Sequence, residues 1–275
     1  EGTITDVLGE PDDKGVDILS IAYSFNLPTR FPKKLEQEAG QIPGKITRTV
    51  LADRLDLRDL LCFTIDPEDA RDFDDAVSLE KKENGNLLLG VHIADVSHYV
   101  EDGSAVDKEA LKRATSVYLV DRVIPMLPET LSNDLCSLKP ETDRLTFSCI
   151  MELNPSLVVV DYTIKPSVIH SKRRFNYEEV QAIANGEIDD PLKPVIDDMM
   201  QLSKRLTKKR FNEGGIDFET PEVRFVLDDK GQPVEIIPKK RLDSHRLVEE
   251  FMLMANQTVA VHVKKISPDN RSPLP

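Results

Sequence analysis

AVSLEKKENGNLLLGVHIA, residues 76–94, reads as a β-hairpin with a buried return strand. Ala76-Val77-Ser78-Leu79 has the composition of a strand. Asn84-Gly85 is a tight-turn signal, with both residues expected at positive φ. The return strand runs from Leu87 to Ala94. Leu87, Leu89, Val91 and Ile93 share one face; Leu88, Gly90, His92 and Ala94 share the other. A strand apolar on both faces belongs in the middle of a covered sheet.

Working outward, Ser104-Ala105-Val106-Asp107 starts a capped helix reaching about Arg113. Residues 121–140 form a long proline-containing loop, and residues 145–165 return to strand character. Phe175–Asn185 and Pro191–Phe211 read as helices, the second carrying Lys204, Arg205, Lys208, Lys209 and Arg210. Pro221–Ile237 reads as a hairpin around Asp228-Asp229-Lys230-Gly231. Asp243 or Ser244 caps a helix to about Lys265, with an apolar stripe of Leu247, Val248, Phe251, Met252, Ala255 and Val259. Upstream, residues 17–40 suggest two short helices separated by Leu27-Pro28-Thr29, the second near Pro32–Ala39. Residues 41–60 read as a linker with short strands. Gly2–Gly9 reads as a strand with nothing before it to pair with. These patterns support a mixed α and β fold with buried strands.

The 275 residues carry 36 basic and 49 acidic side chains, a net charge of −13. That balance argues against a surface coated in phosphate contacts, though not against a local basic path. No apolar run approaches the ~20 residues needed to cross a bilayer, so no membrane role is expected. Cys62, Cys136 and Cys149 form no CxxC pair, which argues against structural zinc and suits reduced thiols in a cytosol.

The chemistry concentrates in Phe63–Ala76, FTIDPEDARDFDDA, with six acids between Asp66 and Asp75 against one arginine. Two like charges ~4 Å apart repel by about 4 kcal/mol at an effective dielectric near 20. A buried cluster of this kind shifts its pKa values or binds cations. Oxygen donors without nearby Cys or His suit Mg²⁺ or Mn²⁺, and two such ions can clamp the oxygens of a phosphodiester displacement. An acidic solvated turn is the plain alternative. Against it, Phe63, Ile65, Phe73 and Ala76 alternate with the acids. An EF-hand fails because Arg71 sits where the loop needs glycine. Asp72-Phe73-Asp74 is also a DxD, the metal-holding triplet of some sugar transferases, but no nucleotide-sugar fold surrounds it.

Thr64-Ile65-Asp66, the step to Asp72, and Asp72–Ala76 resemble the signature of the ribonuclease II/ribonuclease R superfamily. The resemblance continues through Val91–Val100, Ile124–Pro128 with Leu135–Leu138, and Arg246–Glu250 with Met254–Asn256. The stretches Phe218–Phe225 and Leu27–Pro32 look most like the bacterial ribonuclease R branch. The resemblance implies an α+β catalytic domain over residues 17–275, its mixed sheet surrounded by helices and lining an RNA channel. Residues 1–16 would end a preceding cold-shock or OB-type domain. It implies processive 3′-to-5′ hydrolysis of single-stranded RNA to 5′-nucleoside monophosphates in the cytoplasm, with Mg²⁺ (or Mn²⁺ as substitute) and no organic cofactor.

By the same resemblance Asp66, Asp72, Asp74 and Asp75 match the family's catalytic, metal-holding aspartates, and loss of Asp74 should hurt catalysis most while sparing binding. Tyr118 and Phe218 match aromatics that stack on RNA bases. Tyr177 and Glu249 match the pair that senses the ribose 2′-hydroxyl, the group that separates RNA from DNA. A later arginine that stabilises the reacting phosphate in the family has no counterpart within these residues, so this stretch alone is expected to have little or no activity. The competing reading is a non-catalytic RNA-binding or scaffold relative.

Overall fold

The computed structural model describes residues 2–4, 6–216, 223–228, 233–238 and 240–266. Its strands are β1 (Leu55–Leu57), β2 (Cys62–Asp66), β3 (Asp75–Lys81), β4 (Leu87–Ala94), β5 (Val117–Tyr118), β6 (Val123–Ile124), β7 (Asp143–Leu153), β8 (Val159–His170), β9 (Arg173–Asn176), β10 (Val223–Leu227) and β11 (Pro233–Pro238). Its helices are α1 (Val16–Ser24), α2 (Lys33–Ala39), α3 (Arg48–Leu51), α4 (Val96–Tyr99), α5 (Ala105–Arg113), α6 (Tyr177–Asn185), α7 (Lys193–Asn212) and α8 (Asp243–Ile266). The chain forms two compact units, one of residues 44–98, 132–217 and 241–275 and the other of residues 1–43, 99–131 and 218–240.

The larger unit is built on a seven-stranded mixed sheet in the order β1-β8-β7-β4-β3-β2-β9. The strand that is apolar on both faces, β4, occupies the centre. Both edge pairs, β1 with β8 and β2 with β9, are parallel, and the inner pairs are antiparallel. Phe63, Val77, Leu89, Val91 and Met151 on one face pack with Val180, Ile183, Met199, Leu206, Leu247 and Phe251 of α6, α7 and α8. Phe63 and Phe175 meet edge-to-face at 5.1 Å. The architecture is α+β, as the hairpin-and-helix pattern suggested.

The other face of the central strands buries polar groups. His92 is fully buried, with Nε2 3.0 Å from Ser78 Oγ and Nδ1 2.7 Å from Ser148 Oγ. The chain of contacts continues from Ser148 to Ser167 at 2.5 Å and on to Thr146 at 2.7 Å. Gly90 sits inside this network: a Cβ there would lie 2.2 Å from Ser78 Oγ. Burial lowers the His92 pKa to about 4, so the imidazole stays neutral. A histidine depressed in the fold loses stability as pH falls from its ordinary value toward 4, because the unfolded chain takes up the proton first. His92→Ala would strand two buried hydroxyls and leave a cavity. A loss of about 3 kcal/mol is expected in urea unfolding, and an unchanged midpoint would count against the network.

Several sequence expectations need correction. Only Gly85 of the Asn84-Gly85 pair has positive φ. The loop closes through Gly85 N–H to Lys82 O and Lys82 N–H to Asn86 O, an arrangement that needs one left-handed residue, not two. Residues 2–4 and 6–10 hold no strand; Ile4 and Val7 are exposed, with no neighbouring ladder to take their backbone groups. Residues 41–60 contain the short helix α3, capped by the Thr47 hydroxyl, as well as β1. On α8, Thr258 is buried where Val259 was expected, and Val259 is 37% exposed. The hairpin at 221–237 appears as β10 and β11, with Asp229, Lys230 and Gly231 outside the described residues.

In the smaller unit, Ser104 caps α5 by accepting the Asp107 N–H at 3.1 Å. Arg113, at the end of α5, is buried over the Phe31 ring at 3.6 Å and donates to Arg30 O and Pro125 O. One guanidinium thereby pins the Leu27–Pro32 segment.

Candidate active site

Asp66 ends β2, whose five residues are all buried, and Asp75 opens β3. The connecting loop carries Asp72 and Asp74. Its backbone is fastened at both ends. At the start, the Arg174 guanidinium on β9 donates to Pro67 O and Glu68 O and lies 5.4 Å from the Phe73 ring centre. Toward the end, Leu138 N–H donates to Phe73 O and Ala94 N–H to Asp74 O. Between them stands Ser137, fully buried, whose hydroxyl donates to Arg71 O at 2.8 Å and accepts the Phe73 N–H at 3.1 Å. Arg144 in turn donates to Ser137 O. The two peptides that bracket Asp72 are thus set by one side chain.

Ser137→Ala removes both bonds and leaves buried backbone groups unmet. A stability loss of about 1–2 kcal/mol and a drop of roughly tenfold in activity are expected, with partial rescue by Ser137→Thr. Equal activity in the alanine variant and the parent, measured as kcat/KM, would remove Ser137 from this role.

The carboxylates share one electrostatic neighbourhood. Asp66 is 7% exposed, and among the described residues its buried Oδ2 has no hydrogen-bond partner, nor has the buried hydroxyl of Thr64 on the same strand face. Burial, followed by the charges of Asp75 and Asp74, pushes the Asp66 carboxyl to about 7 against the opposing pull of the Thr64 hydroxyl and Arg174. No hydrogen bond of acceptable geometry joins Thr64 and Asp66, so the lone oxygen stays unsatisfied. Burial also raises Asp75. Asp74 is pushed to about 6 by burial of its carboxyl, then by Asp72 and Asp75. Its side of the residue is nonetheless open to solvent, which screens part of that push.

The structure brings these aspartates within electrostatic reach, but it does not draw their oxygens into a ligand set. Among the described residues, no three Asp, Glu, His or Cys side chains are arranged to hold a metal ion. Mutual repulsion and the outward position of Asp74 account for the spread. The donor chemistry still fits a hard divalent cation: all the donors are oxygens, and one is a buried carboxylate oxygen that nothing else satisfies.

Tyr177 opens α6, and its phenol is raised to about 12 by burial, then by Asp75, Asp66 and Glu178. Its ring stacks on His245 at 4.0 Å and 12°. Neither His245 nor Ser137 was singled out from sequence; both fall beside or inside the quoted family blocks, which was the only signal. Glu249 on α8 is half-buried, ion-paired with Arg241 and 3.5 Å from Arg210, which also binds the buried Glu250 at 2.6 Å. Tyr118 lies on the two-stranded β5–β6 ribbon of the smaller unit, 68% exposed. Phe218 lies outside the described residues.

The RNB domain family model matches residues 54–269. The chain belongs to the RNB family. A cold shock domain model also matches residues 1–32. Ribonuclease R of Thermotoga maritima is 48% identical to this RNB chain over 267 residues, covering 94% of it. The chain spans only 38% of that relative's length. Mycoplasma genitalium RNase R, solved in complex with ribose-methylated single-stranded RNA, superposes with a TM-score of 0.90 at 30% identity, covering 96% of this RNB chain and 42% of the other. The same enzyme with double-stranded RNA gives a TM-score of 0.91 at 30% identity, covering 96% and 48%.

Proposed function

We propose that this chain carries the catalytic aspartates of a 3′-to-5′ exoribonuclease that hydrolyses single-stranded RNA processively to 5′-nucleoside monophosphates. The observation that carries the reading is the buried, unpartnered Asp66 oxygen in the field of Asp74 and Asp75. Family membership supplies the reaction class. Residues 17–275 would be the catalytic part, with RNA led 3′ end first toward the aspartates.

Asp66, Asp72, Asp74 and Asp75 would hold Mg²⁺, with Mn²⁺ as substitute. When bound, the cation supplies positive charge against the negative charge growing on the reacting phosphate. The protein groups have separate tasks. Asp74, the one of the four that is open to solvent, is suited to orient the attacking water beside the cation. Tyr177 keeps its proton, so its hydroxyl can donate to a ribose 2′-oxygen. Glu249, oriented by Arg241 and Arg210, would accept from the same 2′-hydroxyl. Tyr118 offers an exposed ring for base stacking, worth ~1–3 kcal/mol per base, and Phe218 is the second aromatic assigned to the RNA.

The test uses single-stranded RNA labelled at its 5′ end, incubated with Mg²⁺. Stepwise shortening from the 3′ end, release of 5′-monophosphates and arrest by EDTA are expected. Direction and metal dependence are the criteria. Internal cuts, or shortening that persists in EDTA, would overturn the reading. Binding without cleavage under every metal condition would favour a non-catalytic RNA-binding relative.

A further inference from the structure

The five cations in the second half of α7 divide into two sets. Lys204 pairs with Asp243 at 3.0 Å and Arg210 with Glu250 at 2.6 Å, both toward α8. Arg205 and Lys209 reach the turn between β7 and β8, Lys208 lies beside them at the same recess, and among the described residues none of the three pairs with a carboxylate. Together with Asn212, Glu213 and turn residues 155–157 they line an open recess of about 420 Å³. In a chain of net charge −13, three cations around one concavity against a single acid is a marked local excess.

The recess is built rather than loose. Arg205 donates to Pro155 O at 2.5 Å and Lys209 to Leu157 O at 3.0 Å. Each contact uses one donor, so four guanidinium N–H groups and two ammonium N–H groups remain to face a ligand. The turn itself is fixed by the Asn154 side chain, which accepts the Ser156 and Val158 N–H groups at 3.0 Å, and by Leu157 at φ 59°. Cations already immobilised lose less freedom on binding an anion. Balancing the C-terminal dipole of α7 explains Lys209, which lies in the last turn. It does not explain Arg205, more than a turn earlier, or why all three line one recess.

The site lies away from the aspartates. Leu87 pairs with Leu153 at the turn end of the sheet, whereas Ala94 pairs with Thr146 at the aspartate end. The length of β4 separates the two ends by about 25 Å. An open trough lined by fixed cations suits a chain of phosphates better than a closed pocket suits one small anion. We propose that the recess between the β7–β8 turn and α7 docks the sugar–phosphate backbone of an RNA strand at the end of the sheet opposite the aspartates.

The experiment uses a circular single-stranded RNA of about 20 nucleotides, which offers no 3′ end to the aspartates. Binding is read by fluorescence anisotropy in EDTA, so neither hydrolysis nor end recognition enters the result, and failure of the exonuclease reading would leave this measurement intact. Lys208 is exposed, so Lys208→Glu should fold normally and weaken binding at least about fivefold at roughly 50 mM salt. Lys165→Glu, the same charge change at an exposed position on β8, should shift it less than about twofold. Replacing Arg205, Lys208 and Lys209 together by Gln should flatten the log–log salt dependence by about two. The proposal is overturned if Lys208→Glu matches Lys165→Glu. It is equally overturned if inorganic pyrophosphate binds in a Lys208-dependent way while RNA does not, which would make the recess a small-phosphate pocket.

Discussion

Asp66→Asn should raise the melting temperature of the metal-free chain by roughly 5 °C at about pH 8. The Asp66 carboxyl titrates at about 7 in the fold and at 3.8 ordinarily. A carboxyl raised by folding contributes most below its unfolded pKa, where both states are protonated. That contribution is lost as pH climbs through the folded value, because the buried group must then ionise in place. Above about pH 7 the penalty for this single 7%-exposed group is on the order of 2–4 kcal/mol. The amide keeps part of the desolvation cost, so a net gain of about 2 kcal/mol is expected. At about pH 4 the variant and the parent should melt together. His92 moves in the opposite direction with acid, but it is common to both proteins and cancels in their difference. A divalent cation should stabilise the parent and not the variant. Identical melting at alkaline pH, or equal stabilisation of both proteins by Mn²⁺, would show that Asp66 is neither strained nor a ligand.

Asp74→Asn should lower RNA hydrolysis by about a thousandfold while changing single-stranded RNA affinity less than about threefold. Asp74 is exposed where Asp66 is buried and Asp75 partly buried, so it can meet solvent and substrate. Circular dichroism controls for folding. A variant that retains more than about a tenth of the activity, or that loses RNA binding in parallel, would remove Asp74 from its assigned place in the reaction.

The sheet and the acid cluster were legible for different reasons. The centre of the sheet could be read because Leu87–Ala94 carries no charge and is largely apolar on both faces, a pattern suited to a covered strand, although Ile93 is 42% exposed and His92 joins a buried polar network. The cluster could be read because six acids in ten residues cannot be buried without a counter-charge. Two kinds of feature were hidden. Ser137 fixes the loop around Asp72 from more than sixty residues away, and a lone serine leaves no periodic trace. The edge pairs are parallel and join segments over a hundred residues apart, so no local turn announces them. The Gly2–Gly9 reading failed because strand propensity means little without a partner, and the Val259 reading because an ideal helical stripe ignores what the sheet offers opposite. The spread of the carboxylates could not be read either: sequence gives their number, and only the fold sets where each one points.

The parallel pairing of β2 with β9 also bears on how the protein is made. At its Asp66 end, β2 is laddered to Asn176 and not to β3, whose pairing stops at Phe63. A ribosome adds the intervening stretch of roughly 110 residues over about 5–20 s. Through that interval a half-made chain has no neighbour to hold Asp66 in its strand. A half-made chain therefore carries the acids but not the frame that sets them.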